Sequence, residues 1–421
     1  MSGLTKRHTL LCTAAVMLGT LTPQMAPAAP RSGEPQRVAF TAGEAGSARP
    51  AGLKGLVRIA GDDVAAFQAL IDRAPMAAEP WLVLSGGGEN GAFAAGLLTG
   101  WTEAGDRPDF GVVTGVSTGA LIAPFAFVGE RGNGPLREAY TTITAADVFE
   151  FGGSNEALTD TWPLKKRIDR AITPALLKAV AAENARGRRL LVATTEVDAE
   201  RPVLWDLGAI AGDGSPKALA LFRAIVLASS AVPGIFPPVL IDAVAADGKG
   251  FQEMHADGGT TAPFYLAPGP AILGGASVRI PARTVYVVVN NKLTPDFQMA
   301  TRTTLSVLGR SLSAAIKAQT AGTIALSRAF AARNGLELKV AEIDGRFTRT
   351  TTAPFDQHYM QALFAHGEAL GRAGTAFGSQ PGSQDGLALA PKSPGGAGPE
   401  LATGSITPAR AQTASGEVAR R

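Results

Sequence analysis

Val112-Val113-Thr114-Gly115-Val116-Ser117-Thr118-Gly119-Ala120 reads as a short buried strand, a sharp turn carrying a serine, and the start of a helix that can run on to Val128. A Gly-x-Ser-x-Gly turn is weak evidence alone in a chain with 50 glycines. Its context strengthens it, because a strand before and a helix after would hold the hydroxyl exposed at the helix N-terminus. Working outward, Trp81-Leu82-Val83-Leu84 is a compact apolar run that ends at a glycine cluster. A helix is expected after it, with Phe93, Leu97 and Trp101 on one face. Leu190-Leu191-Val192-Ala193-Thr194 and Val285-Tyr286-Val287-Val288-Val289 are further strands of the fully buried type. Continuous apolar strands separated by helices predict an α/β fold whose mostly parallel sheet is covered on both faces.

The chain has 421 residues, 46% hydrophobic and 18% charged, which suits a globular protein with a sizeable core. A formal charge of +3, two units of it from Lys6 and Arg7, gives no basic face of the kind that binds nucleic acid. Residues 1–28 read as a signal peptide: Lys6 and Arg7, an apolar run from Thr9 to Leu21, then Ala26-Pro27-Ala28 as a small-x-small cleavage site. Export to the periplasm or the medium is the corresponding expectation. The one cysteine, Cys12, falls inside that segment, so the rest of the chain has neither disulfides nor thiol catalysis. Residues 29–55 read as a flexible linker rich in Ala, Gly, Pro and Arg, and Val57 to Ala74 as the first helix of a hydrolase domain over 56–377. Residues 378–421, dominated by Gly, Ser, Pro and Ala without hydrophobic periodicity, are expected to be disordered.

The chemistry sits in a few residues. Ser85-Gly86-Gly87-Gly88-Glu89-Asn90-Gly91 ends a strand and opens a helix, where backbone N–H groups can face a cavity and stabilise negative charge. Gly86, Gly87 and Gly88 are therefore candidates for an oxyanion hole. The same glycines match dinucleotide spacing, but that reading needs an acidic residue ending the second strand, and Asp106 and Asp109 precede that strand. Ser117 needs a base. His255 and Asp257 lie two apart on an extended stretch, so both can face one side, and Asp257-Gly258-Gly259 puts a carboxylate on a tight loop. A Ser-His-Asp triad and a Ser-Asp dyad both remain open. In a dyad, burial has to raise an aspartate whose ordinary pKa is about 3.9.

Together these residues resemble the patatin-like phospholipase family. The order is the family's: Gly86-Gly87-Gly88 with Gly91, then Gly115-x-Ser117-x-Gly119, then Asp257-Gly258-Gly259. Ala228-Ser229-Ser230-Ala231-Val232-Pro233-Gly234-Ile235-Phe236-Pro237-Pro238 looks like the family's proline-rich segment that shapes the site. Each motif is common by itself, and four in this order are specific. The similarity runs from about Pro80 to Asn290. It implies a three-layer α/β/α fold, a catalytic Ser117–Asp257 dyad, and hydrolysis of lipid acyl esters without a metal or other cofactor. Two departures stand out. Glu89 and Asn90 fill a gap where the family usually carries Arg or Lys, which points toward a neutral ester. Thr260, Thr261 and Ala262 follow the Asp-Gly-Gly, without the asparagine often seen there.

Thr301 to Arg333 contains Arg302, Arg310, Lys317, Arg328 and Arg333 and no acidic residue, with Leu305, Leu308, Leu312 and Ile316 at helical spacing. Such a helix either packs its leucine stripe on the domain or rests on an anionic lipid surface, a peripheral membrane contact. The leading reading is a lipid acyl hydrolase of the phospholipase A or lysophospholipase kind. A general carboxylesterase for small neutral esters and a catalytically silent lipid-binding protein are the alternatives.

Overall fold

The computed structural model describes residues 37–377 apart from 54, 56, 153–155, 296 and 298. The segments read as a signal peptide and as a disordered tail lie outside the described residues, except for residue 37 onward of the stretch that follows the signal. Strands are β1 (Arg49–Pro50), β2 (Arg58–Ala60), β3 (Trp81–Leu84), β4 (Val112–Gly115), β5 (Glu150–Phe151), β6 (Thr159–Asp160), β7 (Arg189–Glu196), β8 (Arg201–Asp206), β9 (Val239–Val244), β10 (Gly250–Asp257), β11 (Thr284–Val289) and β12 (Glu337–Glu342). Helices are α1 (Ala42–Gly46), α2 (Val64–Asp72), α3 (Gly91–Ala104), α4 (Thr118–Phe127), α5 (Asn133–Thr141), α6 (Trp162–Ala171), α7 (Pro174–Ala185), α8 (Leu207–Asp213), α9 (Pro216–Ser229), α10 (Gly269–Ile272), α11 (Thr304–Asn334) and α12 (Gln357–Arg372).

The main sheet runs β1-β9-β10-β7-β4-β3-β11-β12, with β8 on β7 and β2 on β8. Its centre is parallel: β7, β4, β3, β11 and β12 all point one way. Strands β8, β9, β10, β1 and β2 add an antiparallel flank. The four strands read from apolar runs are all present, because each sits where both faces are covered. Alternate side chains divide the core. Leu82, Leu84, Val113, Leu190 and Val192 join one cluster, which includes residues of α3, α4, α7, α9 and α12. Trp81, Val83, Val112, Leu191 and Val287 face the other, with residues of α2, α10 and α11. The result is a three-layer α/β/α sandwich.

Two expectations need correction. The stretch read as a linker is structured from residue 37: Thr41 caps α1 in a capping box, and β1 pairs with β9. Val57 to Ala74 is not one helix. Arg58–Ala60 is a strand on β8, and the helix begins only after Asp63, whose carboxylate accepts from Ala66 N–H. The helical spacing of Val64, Phe67 and Leu70 was real, but two turn residues, Gly61 and Asp62, separate it from the strand.

Candidate active site

The parallel strands β3, β4 and β11 finish at one edge of the sheet, and the conspicuous motifs follow two of them. Ser117 lies between β4 and α4 with φ 55° and ψ −124°, a left-handed conformation rare for a residue with a side chain. The flanking glycines make the turn possible. A Cβ at Gly119 would stand 2.4 Å from Leu84 O, so only glycine lets α4 leave this close to β3. The ten-residue helix α4 begins at Thr118, which puts its positive end at the serine.

Asp257 is brought to Ser117 by sheet register. The first half of β7 pairs with β4 as far as Gly115↔Val192, and its end pairs with β10 through Thr194↔Asp257. The aspartate therefore sits just past the end of β4. Ser117 Oγ donates to Asp257 Oδ2 at 2.6 Å, and the other oxygen, Oδ1, accepts from Gly259 N–H at 2.6 Å. Only 4% of Asp257 is exposed, and this burial raises its carboxyl to about 6; the bonds from Ser117 and Gly259 hold it from going higher.

His255 does not reach the serine. It is fully buried, with Nδ1 against Thr194 Oγ1 at 3.0 Å and Nε2 facing Glu253 at 3.4 Å, and that carboxylate also pairs with Arg58. Burial lowers its pKa, so the ring is held neutral beside Trp205. The geometry thus joins Ser117 to Asp257 directly.

The glycine loop crosses over Ser117. A Cβ on Gly86 would be 3.1 Å from Ser117 Cβ and 3.7 Å from its Oγ. Gly87 has φ 154°, and a Cβ there would fall 2.1 Å from Asn290 O. One expectation changes here. The Gly86 amide donates to Pro263 O at 2.9 Å, so it is already committed. Among the described residues the amides of Gly87 and Gly88 donate to no group, which leaves these two of the three candidates able to receive an anion.

Several supporting residues were missed in the sequence. Asn290, at the end of β11, braces the loop: its N–H donates to Ser85 Oγ at 2.8 Å and its Nδ2 to Ser85 O at 3.0 Å. A polar residue closing an apolar strand was the available signal. The end of α9 holds the serine itself. Ser117 N–H donates to Ser229 Oγ at 3.0 Å, and that hydroxyl donates on to Ala193 O at 2.7 Å. Ser230 Oγ donates to Ser117 O at 3.3 Å, and Asp257 N–H donates to Ala231 O at 2.8 Å. Three consecutive residues of the segment read only as proline-rich therefore grip both partners of the pair. Ser229→Ala should orphan the buried Ser117 N–H, costing about 1–3 kcal/mol of stability. It should also lower kcat about tenfold with KM little changed, since the hydroxyl meets the turn and not substrate; steady-state kinetics with an unfolding titration checks both.

Glu89 and Asn90 turn away from the serine. The Glu89 carboxylate accepts from Phe355 N–H, and Asn90 Oδ1 accepts from Tyr359 OH at 2.8 Å. Both ties fasten the loop to the segment leading into α12 and to its first turn. Burial raises the pKa of Glu89.

Fold and site thus define a three-layer α/β/α protein with a serine–aspartate pair beneath a glycine loop. The family model for patatin-like phospholipases matches residues 82–268, and the chain carries a patatin-like phospholipase domain. That family supports lipid acyl hydrolysis as the general activity. Among solved structures, VipD from Legionella pneumophila is similar at 13% identity and a TM-score of 0.36, over 70% of this chain and 67% of that one. No curated protein matches the chain.

Proposed function

We propose that this protein cleaves carboxylic esters of lipids through Ser117 as nucleophile and Asp257 as base. The observation that carries the reading is the 2.6 Å hydrogen bond from Ser117 Oγ to a buried carboxylate of raised pKa. As Oγ attacks the ester carbonyl, its proton passes to Asp257 Oδ2 and the carbonyl oxygen becomes an oxyanion. The amides of Gly87 and Gly88 and the N-terminus of α4 supply the positive field for that charge. Collapse breaks the bond to the leaving alcohol, which takes the proton from Asp257 and leaves acyl-Ser117. Water then gives a proton to Asp257, attacks the acyl carbon, and releases the fatty acid as Oγ recovers its proton. The burial of the pair keeps competing water away from the carboxylate and favours its accepting a proton near neutral pH.

Glu89 bears on substrate choice. Where relatives usually carry a cation in the glycine loop, this chain places a carboxylate that is spent on Phe355, which favours a neutral group near the scissile ester over an anionic one. The segment over residues 1–28 adds export from the cytoplasm to the proposal. Fluorophosphonate labelling of the purified protein, with the modified peptide located by mass spectrometry, tests the reading. Label on Ser117 together with fatty-acid release from lipid is the expected result. A folded protein that stays unlabelled would instead support a silent lipid-binding domain.

A further inference from the structure

Helix α11 is too long for the sheet it crosses. It connects the parallel strands β11 and β12 and is joined to β12 by only Gly335 and Leu336, so its C-terminal end is anchored at the strand start. Its 31 residues span about 46 Å, whereas the six residues of β12 span about 20 Å. The excess has to extend at the other end. That end lies on the edge where β11 finishes, at Asn290 beside the glycine loop and Ser117.

Burial along the helix agrees. Thr320, Ile324, Ser327, Phe330 and Ala331 are buried, but no residue from Ser306 to Gln319 is. Of the leucine series seen in the sequence, Leu308 is 52% exposed, Leu312 and Ile316 are half-buried, and the side chain of Leu305 lies outside the described ones. The preceding loop adds Phe297 and Met299, exposed at 96% and 84%. From residue 297 to 336 the chain has five arginines and lysines and no Asp or Glu; Arg302, Arg310 and Lys317 fall in the overhanging half. Large exposed apolar side chains among cations, without an anion, complement an anionic bilayer: the side chains enter the headgroup boundary and the cations meet lipid phosphates.

We propose that residues 297–319 form a docking arm that seats the protein on an anionic lipid surface, with the serine edge of the sheet turned toward it. The inference deepens the lipid-hydrolase reading by placing its substrate in a membrane, but its test needs no turnover. Full-chain Ser117→Ala protein is mixed with phosphatidylcholine vesicles, with or without phosphatidylglycerol, and binding is read by flotation. The N-terminal apolar run is common to every protein compared, so differences report the arm.

Binding should require the anionic lipid and fade in 1 M salt. The triple variant Arg302→Glu/Arg310→Glu/Lys317→Glu should bind roughly a hundredfold more weakly, at about fivefold per cation. Phe297→Ser/Leu308→Ser should weaken binding as well. Thermal melts confirm that both variants are folded. Equal binding to neutral and anionic vesicles, or binding that the charge reversal leaves unchanged, overturns the proposal. So does a protein that ignores vesicles but forms a dimer lost in Phe297→Ser/Leu308→Ser, which would give the arm to a second copy. Wild-type protein that labels with fluorophosphonate yet ignores vesicles refutes the arm alone, while vesicle binding without labelling refutes the hydrolase alone.

Discussion

Ser117→Ala should lower ester turnover by a factor on the order of 10⁴ to 10⁶, the scale seen when the nucleophile of a serine hydrolase is removed. The fold should survive. Alanine keeps the Cβ that packs under Gly86, and the backbone N–H still donates to Ser229 Oγ. The strain at φ 55° is also unchanged, because alanine and serine share the same backbone limits. Stopped assays for released fatty acid give the rate, and circular dichroism with a thermal melt gives the fold. Turnover near the wild-type level would remove Ser117 from the mechanism and send the search back to the other buried hydroxyls.

Asp257→Asn should separate activity from stability. Asparagine can still accept from Gly259 N–H, but its amide donates toward Ser117 Oγ and cannot take the proton, so turnover should fall to the level of the serine variant. Stability should move the other way. The folded carboxyl titrates at about 6 against 3.8 as the unperturbed value. Between those values the folded state keeps a proton the unfolded chain has released, so stability falls as pH rises through this window. Above about pH 6 the full cost of the buried charge is present, on the order of 3 kcal/mol. Asp257→Asn should therefore be more stable than wild type in urea at pH 8, with the gain fading toward pH 4. In the wild type, kcat/KM should rise with pH along an acid limb centred near 6. A variant no more stable than wild type at pH 8 would contradict the burial argument, and an acid limb near pH 4 would contradict the raised pKa.

Legibility varied with the range of the interaction. Strands β3, β4, β7 and β11 were readable because a strand covered on both faces must be apolar at every position, and that leaves a run in the sequence. The flanking strands were harder. β9 and β10 carry the mixed pattern of strands with one wet face, and β1 and β2 are only two and three residues long. The serine turn, the glycine loop and the Asp-Gly-Gly loop were visible because each depends on residues within a few positions of one another. Gly86 shows the limit of such reading. Its spacing marks it as an oxyanion donor, yet Pro263, far along the chain, takes its amide.

By itself the sequence determined the α/β class, the order of its parallel strands' apolar runs, and the residue types at the site, since short-range sterics and solvent alone select these. Which residue serves Ser117 was decided only by tertiary structure. His255 and Asp257 are equivalent choices along the chain, but β10 pairs with the end of β7 in a register that sets Asp257 past β4 and leaves His255 packed against Trp205. Ser229 and Asn290 became parts of the site in the same way, through hydrogen bonds that join positions 112 and 205 residues apart. A local pattern carries no record of such distant partners, because their hydrogen bonds exist only once the sheet has aligned the strands.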